Sequence, residues 1–185
     1  MVKLRKNSYK KVHTLNLKGC IVMIEQVKPT LTDDWKKDRI ASAHRGENPM
    51  VLTKMRSGFA VIGDTQFLPG YCLLLPFDKV DTLNDFNFKQ RSEYLLDMSL
   101  IGDAIQAVCN PKRINYSIYG NSDAFLHAHI FPRYEWEQEA RRKMPVWQYP
   151  KEMWIDQQFQ FDNEKHSEIK ESISRKIIEL MQQAY

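Results

Sequence analysis

A chain of 185 residues, 43% hydrophobic and 27% charged, has the size and composition of one folded domain with its own core. Seven glycines, eight prolines and 11% aromatics exclude a collagen-like, low-complexity or disordered chain, and no apolar run is long enough to span a membrane as a helix. Cys20, Cys72 and Cys109 are odd in number and widely spaced, which excludes a disulfide scaffold and a Cys-rich zinc module and suits a reducing cytoplasm.

The formal charge of +4 is unevenly placed. Lys3, Arg5, Lys6, Lys10, Lys11 and Lys18 all precede residue 23 with no acid among them. Without them, 21 basic residues face 23 acidic ones. Residues 1–22 therefore read as a basic segment apart from a nearly neutral body. Such an arm can bind nucleic acid or an acidic membrane surface, and a solvated tail is the plainer expectation. Asn16 and Lys18 interrupt its apolar stretch, so it does not read as a secretory signal. Translation from Met23 is a further expectation, because Lys18-Gly19 has purine-rich codons that resemble a ribosome-binding site.

In chain order, Asp33 or Asp34 can cap a helix running to about His44, ended by Gly46 and Pro49. Val51–Lys54 and Ser57 to Ile62 follow, with Phe59 to Ile62 apolar enough for a buried strand. Gly63-Asp64-Thr65 and Pro69-Gly70 are turn chemistry. Tyr71 to Pro76 reads as a second buried strand, pairing antiparallel with the first through the 64–70 loop. Phe88, Tyr94, Leu95, Met98, Ile101, Ile105 and Val108 recur at mostly three- and four-residue intervals, which predicts one long amphipathic helix. Asn110-Pro111 stops it. Ile114 to Tyr119 and Phe125 to Phe131 read as strands around the Gly120-Asn121-Ser122-Asp123 loop. A charged, Trp/Pro-rich stretch follows from Glu135, and Glu164 to Gln183 forms a closing helix. Strands and helices segregate, so the expected class is α+β, an antiparallel sheet with helices packed against it. The expected organisation is a basic segment (1–22), a catalytic domain (23–150) and a C-terminal helical extension (151–185).

The informative segment is Gly120 to Arg133, GNSDAFLHAHIFPR. Strand alternation puts Phe125, His127, His129 and Phe131 on one face and Leu126, Ala128 and Ile130 on the other. The two imidazoles would sit roughly 7 Å apart along the strand. With backbone N–H groups from the preceding loop they would make an anion site containing a nucleophile, and phosphate is its natural occupant. A bare His-x-His is as often structural, and it can also supply two zinc ligands, but no nearby Cys or His is spaced to complete a zinc site. His13, His44 and His166 stand alone and read as surface or structural residues. The apolar residues of the long helix read as core.

The wider string resembles the histidine triad (HIT) family, whose signature is His-φ-His-φ-His-φ-φ, φ being apolar. The match runs through Gly120-Asn121-Ser122, Phe125-Leu126-His127-Ala128-His129-Ile130-Phe131 and Pro132-Arg133. Upstream, Phe59 to Pro76 (FAVIGDTQFLPGYCLLLP) looks like the family's hairpin before the long helix. The resemblance covers about residues 57–133. Phe125 stands where the family has its first histidine. His127 maps onto the middle, nucleophilic histidine and His129 onto the third. Asp78-Lys79 replaces a histidine that many members carry after the second strand.

The resemblance implies a HIT-like fold and a two-step hydrolysis without metal or cofactor. His127 attacks the α-phosphorus of a nucleotide derivative, and water releases the nucleoside monophosphate from the nucleotidyl-histidine. A backbone carbonyl would hold the other nitrogen of His127. His129, the Ser122 hydroxyl and the N–H groups of Asn121 to Asp123, with Gly120 shaping the loop, would stabilise the phosphoryl charge; His129 or Ser122 would protonate the leaving group. Asp64 would accept from the ribose hydroxyls, Asn115 would touch the sugar or the scissile end, and Ile62, Phe59 and Leu68 would line the base pocket. Arg133, Arg141-Arg142-Lys143 and a stacking Trp136 or Trp147 would read a longer polyphosphate or second nucleoside. That favours an adenine dinucleoside polyphosphate over a phosphoramidate. A homodimer is expected, with the long helix and sheet edge at its interface. A nucleotidyltransferase or phosphorylase, against which His129 argues, and a nucleotide-binding protein without turnover, which Phe125 favours, are the alternatives.

Overall fold

The computed structural model describes residues 33–185 and, within the leading segment, two short antiparallel strands, β1 (Thr14–Leu15) and β2 (Ile21–Val22). The expectations for the basic arm and for a start at Met23 otherwise lie outside the described residues. Among the described residues, no helix is long and apolar enough to cross a membrane.

Residues 33–185 are built on one five-stranded antiparallel sheet. Its strands are β3 (Val51–Lys54), β4 (Gly58–Ile62), β5 (Cys72–Pro76), β6 (Arg113–Tyr119) and β7 (His127–Arg133), in the spatial order β3-β4-β5-β7-β6. The β4–β5 hairpin forms through the 64–70 loop as its turn residues predict, with Ile62 opposite Cys72. β7 then lies between β5 and β6, so Leu73 and Ser117 both face His129 across the sheet. The last strand begins two residues later than the alternation predicts. Phe125 and Leu126 lead into it, and the Leu126 N–H donates to the Val80 carbonyl at 2.6 Å.

The leading helix is shorter than its cap signals predict. Asp33–Lys36 is a 3-10 turn, and α1 (Arg39–His44) starts afresh. Asp38 is extended and its carboxylate accepts from the Ala41 N–H, so this third aspartate in the run supplies the helix cap. α2 (Phe88–Cys109) is closed at its start by an Asn87/Gln90 capping box. At its end Asn110 takes a left-handed conformation at φ 47°.

The apolar seam read along α2 is partly corrected. Tyr94, Ile101 and Ile105 are fully buried, whereas Phe88 is 85% exposed and Leu95 is also on the surface. Asp97 takes a buried place instead, accepting from the Ser57 N–H at 2.7 Å and its hydroxyl at 2.6 Å. Asp97 thus shares the inward face with Tyr94, Met98, Ile101, Ile105 and Val108.

α5 (Asn163–Ala184) packs across α2 and β3 and inserts Ile173 and Ile177 into the core they share with Leu74, Ile101 and Ile105. Each of these isoleucines is fully buried, which contributes about 1.5–3 kcal/mol relative to exposure.

Between β7 and α5 the chain runs through α3 (Glu139–Arg142) and α4 (Lys151–Ile155) with 3-10 turns after each. Two devices fix this stretch. Arg133, 2% exposed, pairs with buried Glu137 and also donates to the carbonyls of Met144 and Arg141. Farther on, the Gln66 N–H donates to Phe159 and the Phe161 N–H to Asp64, a small backbone ladder against the hairpin loop.

Candidate functional site

The alternation along β7 sends Ala128 and Ile130, both fully buried, toward the helices and the two histidines toward the opposite face. There a cavity of about 330 Å³ opens between the sheet, α1 and the 146–161 stretch. His127 and His129 form its floor with ring centroids 4.8 Å apart, well inside the spacing of their backbone positions, because the rings lean together.

The two rings are held in opposite senses. His127 Nδ1 lies 2.9 Å from the Phe125 carbonyl oxygen. A carbonyl only accepts, so Nδ1 carries the proton and Nε2 keeps its lone pair. His129 Nδ1 lies 2.6 Å from the Tyr71 hydroxyl. Burial pushes the Tyr71 phenol well above its ordinary pKa, so it stays protonated. Burial and the neighbouring His127 bring His129 down to about 3, so it is neutral. The phenol donates to Nδ1, and the His129 proton therefore sits on Nε2. The cavity floor thus pairs a bare imidazole nitrogen with an imidazole N–H.

Phe125 sits beside His127, ring centroids 5.2 Å apart. Its side chain offers no hydrogen bond, but the group that holds His127 is its main-chain carbonyl, which any residue supplies. Gly120 lies close under that carbonyl: a Cβ there would meet the Phe125 and Asp81 oxygens at 3.3 Å.

One wall of the cavity is apolar, formed by Met50, Val61, Ile62 and Leu75 with Asn48 at its edge. Asp64 lies beyond it, and its carboxylate receives a two-pronged pair from Arg39 of α1, at 2.9 and 2.5 Å. Asp123 lines the cavity on the loop side. The opposite wall is Trp147, edge-on to His129 at 4.7 Å and stacked on Trp154 at 5.2 Å.

Of the residues expected in the site, His127, His129, Asp64, Asp123, Ile62 and Trp147 line this cavity. Gly120, Asn121 and Ser122 belong to the adjoining loop without lining it, and Asn121 and Ser122 are exposed. Asn115 lies elsewhere, its side-chain oxygen accepting from Arg133 at 3.0 Å. Phe59 packs edge-on against His44 and Phe77, and Leu68 sits in the small cluster around Phe67, Tyr71 and Phe131. Trp136 stacks on Tyr134 away from the cavity. The cationic residues after β7 are also otherwise engaged. Arg133 is buried in its pair with Glu137, Arg142 pairs with Glu135, Lys143 pairs with Glu139, and Arg141 donates to the Gln148 carbonyl. Arg39, Tyr71, Asn48 and Trp154 were not singled out from the sequence. Arg39 and Tyr71 meet their partners Asp64 and His129 25 and 58 residues away, and no local spacing announces any of the four.

Solved structures share this arrangement of sheet and helices. The chain is similar to a histidine triad protein of Sinorhizobium meliloti at 15% identity, covering 80% of this chain and 96% of that one, with a TM-score of 0.60. A histidine triad protein of Bradyrhizobium japonicum is similar at 18% identity, covering 73% and 95%, with a TM-score of 0.59. The chain has the histidine triad fold. A diadenosine triphosphate hydrolase of Plasmodium falciparum shares it at 17% identity, covering 70% of this chain and 77% of that one, with a TM-score of 0.50. No protein-family model and no curated protein sequence matches the chain. Within this histidine triad fold, the 146–161 stretch adds the tryptophan wall to the cavity.

Proposed function

We propose that the protein is a nucleotide hydrolase that cleaves at the α-phosphate of a dinucleoside polyphosphate or related AMP derivative. The observation that carries this reading is the free Nε2 of His127, set by the Phe125 carbonyl, beside the N–H of His129. The His127 Nε2 lone pair forms a bond to the α-phosphorus, and the bond to the leaving oxygen breaks with its electron pair. The Nδ1–H bond to Phe125 stabilises the charge this places on the ring. His129 Nε2–H donates to a phosphoryl oxygen. Water then displaces the imidazole and releases the monophosphate.

The state of His129 bears on the leaving group. With its pKa down at about 3, it donates a hydrogen bond but is not a working acid near neutrality. An amine leaving group needs a proton; a polyphosphate departs as a stable anion. That favours a phosphoanhydride over a phosphoramidate, with water supplying any proton required.

The base lies against Ile62, Val61 and Met50, Asp64 accepts from the ribose, and Trp147 faces the leaving group. The protein works as a homodimer through α2 and the free edge at β6, where Tyr116, Tyr119, Leu95 and Leu96 are exposed. Phe125 beside His127 supports a second reading, nucleotide binding without turnover. A chromatographic screen of diadenosine tri- and tetraphosphate, adenosine phosphoramidate and an AMP-lysine analogue separates the two. AMP release, fastest from the polyphosphates and lost in His127→Ala, is the expected result. AMP binding without release from any substrate favours the binding protein.

A further inference from the structure

The apolar wall of the cavity carries a buried amide at its edge. Asn48 precedes β3, is 5% exposed and lines the cavity with Met50 and Val61. Its Oδ1 accepts from the Met50 N–H at 2.9 Å, and its Nδ2 donates to the Arg39 carbonyl at 3.1 Å. These two backbone partners settle which end of the amide is oxygen. Turned over, it would set oxygen against a carbonyl and N–H against N–H.

An amide has two N–H groups and two oxygen lone pairs. One of each is used, so one N–H and one lone pair have no protein partner on a side chain almost closed to solvent. Unmet polar capacity at a buried site is costly, and the cavity is where a ligand can meet it. The rest of this wall, Met50, Val61, Ile62 and Leu75, accepts a flat ring without distinguishing one base from another.

Both partners of the amide are themselves held. The Arg39 carbonyl also accepts from the Ser42 hydroxyl at 3.1 Å within α1. Met50 is buried, and its carbonyl accepts from the Ile62 N–H of β4 at 2.9 Å. The amide is therefore clamped between α1 and the sheet, with its orientation set before any ligand arrives.

We propose that Asn48 is a specificity-determining residue of the base subsite, which selects a 6-aminopurine over a 6-oxopurine. This rests on the nucleotide reading of the cavity. The 6-amino group of adenine donates beside a ring nitrogen that accepts, a pattern complementary to an amide oxygen and N–H. Hypoxanthine carries an oxygen at position 6, whose lone pairs meet those of the Asn48 oxygen. The amide cannot turn to suit it without losing both backbone bonds.

The test is calorimetric binding of AMP and IMP, which share sugar and phosphate, to the full chain, Asn48→Ala and Asn48→Ser. The serine hydroxyl can still accept from the Met50 N–H but falls short of the base. In the unmodified chain AMP binds about tenfold or more tighter than IMP, the scale on which one side-chain amide discriminates bases. In both variants that ratio falls toward one, chiefly through weaker AMP binding. Equal binding of AMP and IMP by the unmodified chain overturns the proposal and leaves the nucleotide reading standing. A ratio that persists in Asn48→Ser also overturns it, including one seen with both ligands weakened together, which marks an amide that only shapes the loop. Failure of the unmodified chain to bind either nucleotide overturns the nucleotide reading itself, and this inference with it.

Discussion

The Tyr71 hydroxyl lies 2.6 Å from His129 Nδ1, joining the residue just before β5 to β7 inside the cavity floor. The two rings are nearly parallel, and Tyr71 also stacks on Phe131 at 4.3 Å. The hydrogen bond selects which His129 nitrogen carries the proton. Tyr71→Phe keeps the ring packing and removes only that selection. Turnover is expected to fall about tenfold or more through kcat, with KM changed less, on the scale of one hydrogen bond to a reacting charge. Steady-state kinetics on the best substrate checks this.

The same histidine predicts how stability depends on pH. In the unfolded chain His129 takes up a proton near its ordinary value of 6.5, whereas in the folded protein it does so only near 3. Below pH 6.5 the unfolded state therefore binds more protons, and stability falls as the pH drops from about 6.5 toward 3. This one group contributes a slope approaching ~1.4 kcal/mol per pH unit in that window. Urea unfolding at pH 7, 6, 5 and 4 measures it. His129→Gln is expected to flatten the curve.

Arg133 and Glu137 form a buried pair that anchors the 134–150 stretch, with the Tyr134 N–H and the Tyr149 hydroxyl also on Glu137. Removing one partner strands the other's charge. Glu137→Gln is expected to cost about 3–5 kcal/mol in denaturant unfolding. Arg133→Met, which removes the other charge, is expected to relieve part of that cost in the double variant.

Trp147 and Trp154 stack at 5.2 Å, and Trp147 meets His129 edge-on. Nucleotide binding is expected to change the intrinsic tryptophan fluorescence. The change is expected to shrink strongly in Trp147→Phe and to persist in Trp136→Phe, because Trp136 stacks on Tyr134 outside the cavity.

Local patterns carried much of this fold. Turn residues marked the β4–β5 hairpin, Asn110-Pro111 marked the end of α2, and strand alternation put His127 and His129 on one face. What they missed are relationships across the chain. Tyr71 and His129 are 58 residues apart, and Arg39 and Asp64 are 25 apart. Neither pair has a periodicity to read. Asn115 and Arg133 look like polar groups available to a ligand until β6 and β7 pair and they satisfy each other. Phe88 and Leu95 look like core by spacing, but they lie on the surface, while the polar Asp97 is buried with Tyr94, Ile101 and Ile105.

The most direct test of the central claim is to denature the protein in alkali during turnover of diadenosine tetraphosphate and map adducts by peptide mass spectrometry. A nucleotidyl group on His127, absent from His127→Ala and still formed in Phe125→Ala, is the predicted result, because the residue before the strand contributes only its carbonyl. Turnover that persists in His127→Ala, or an adduct on another residue, would contradict the account.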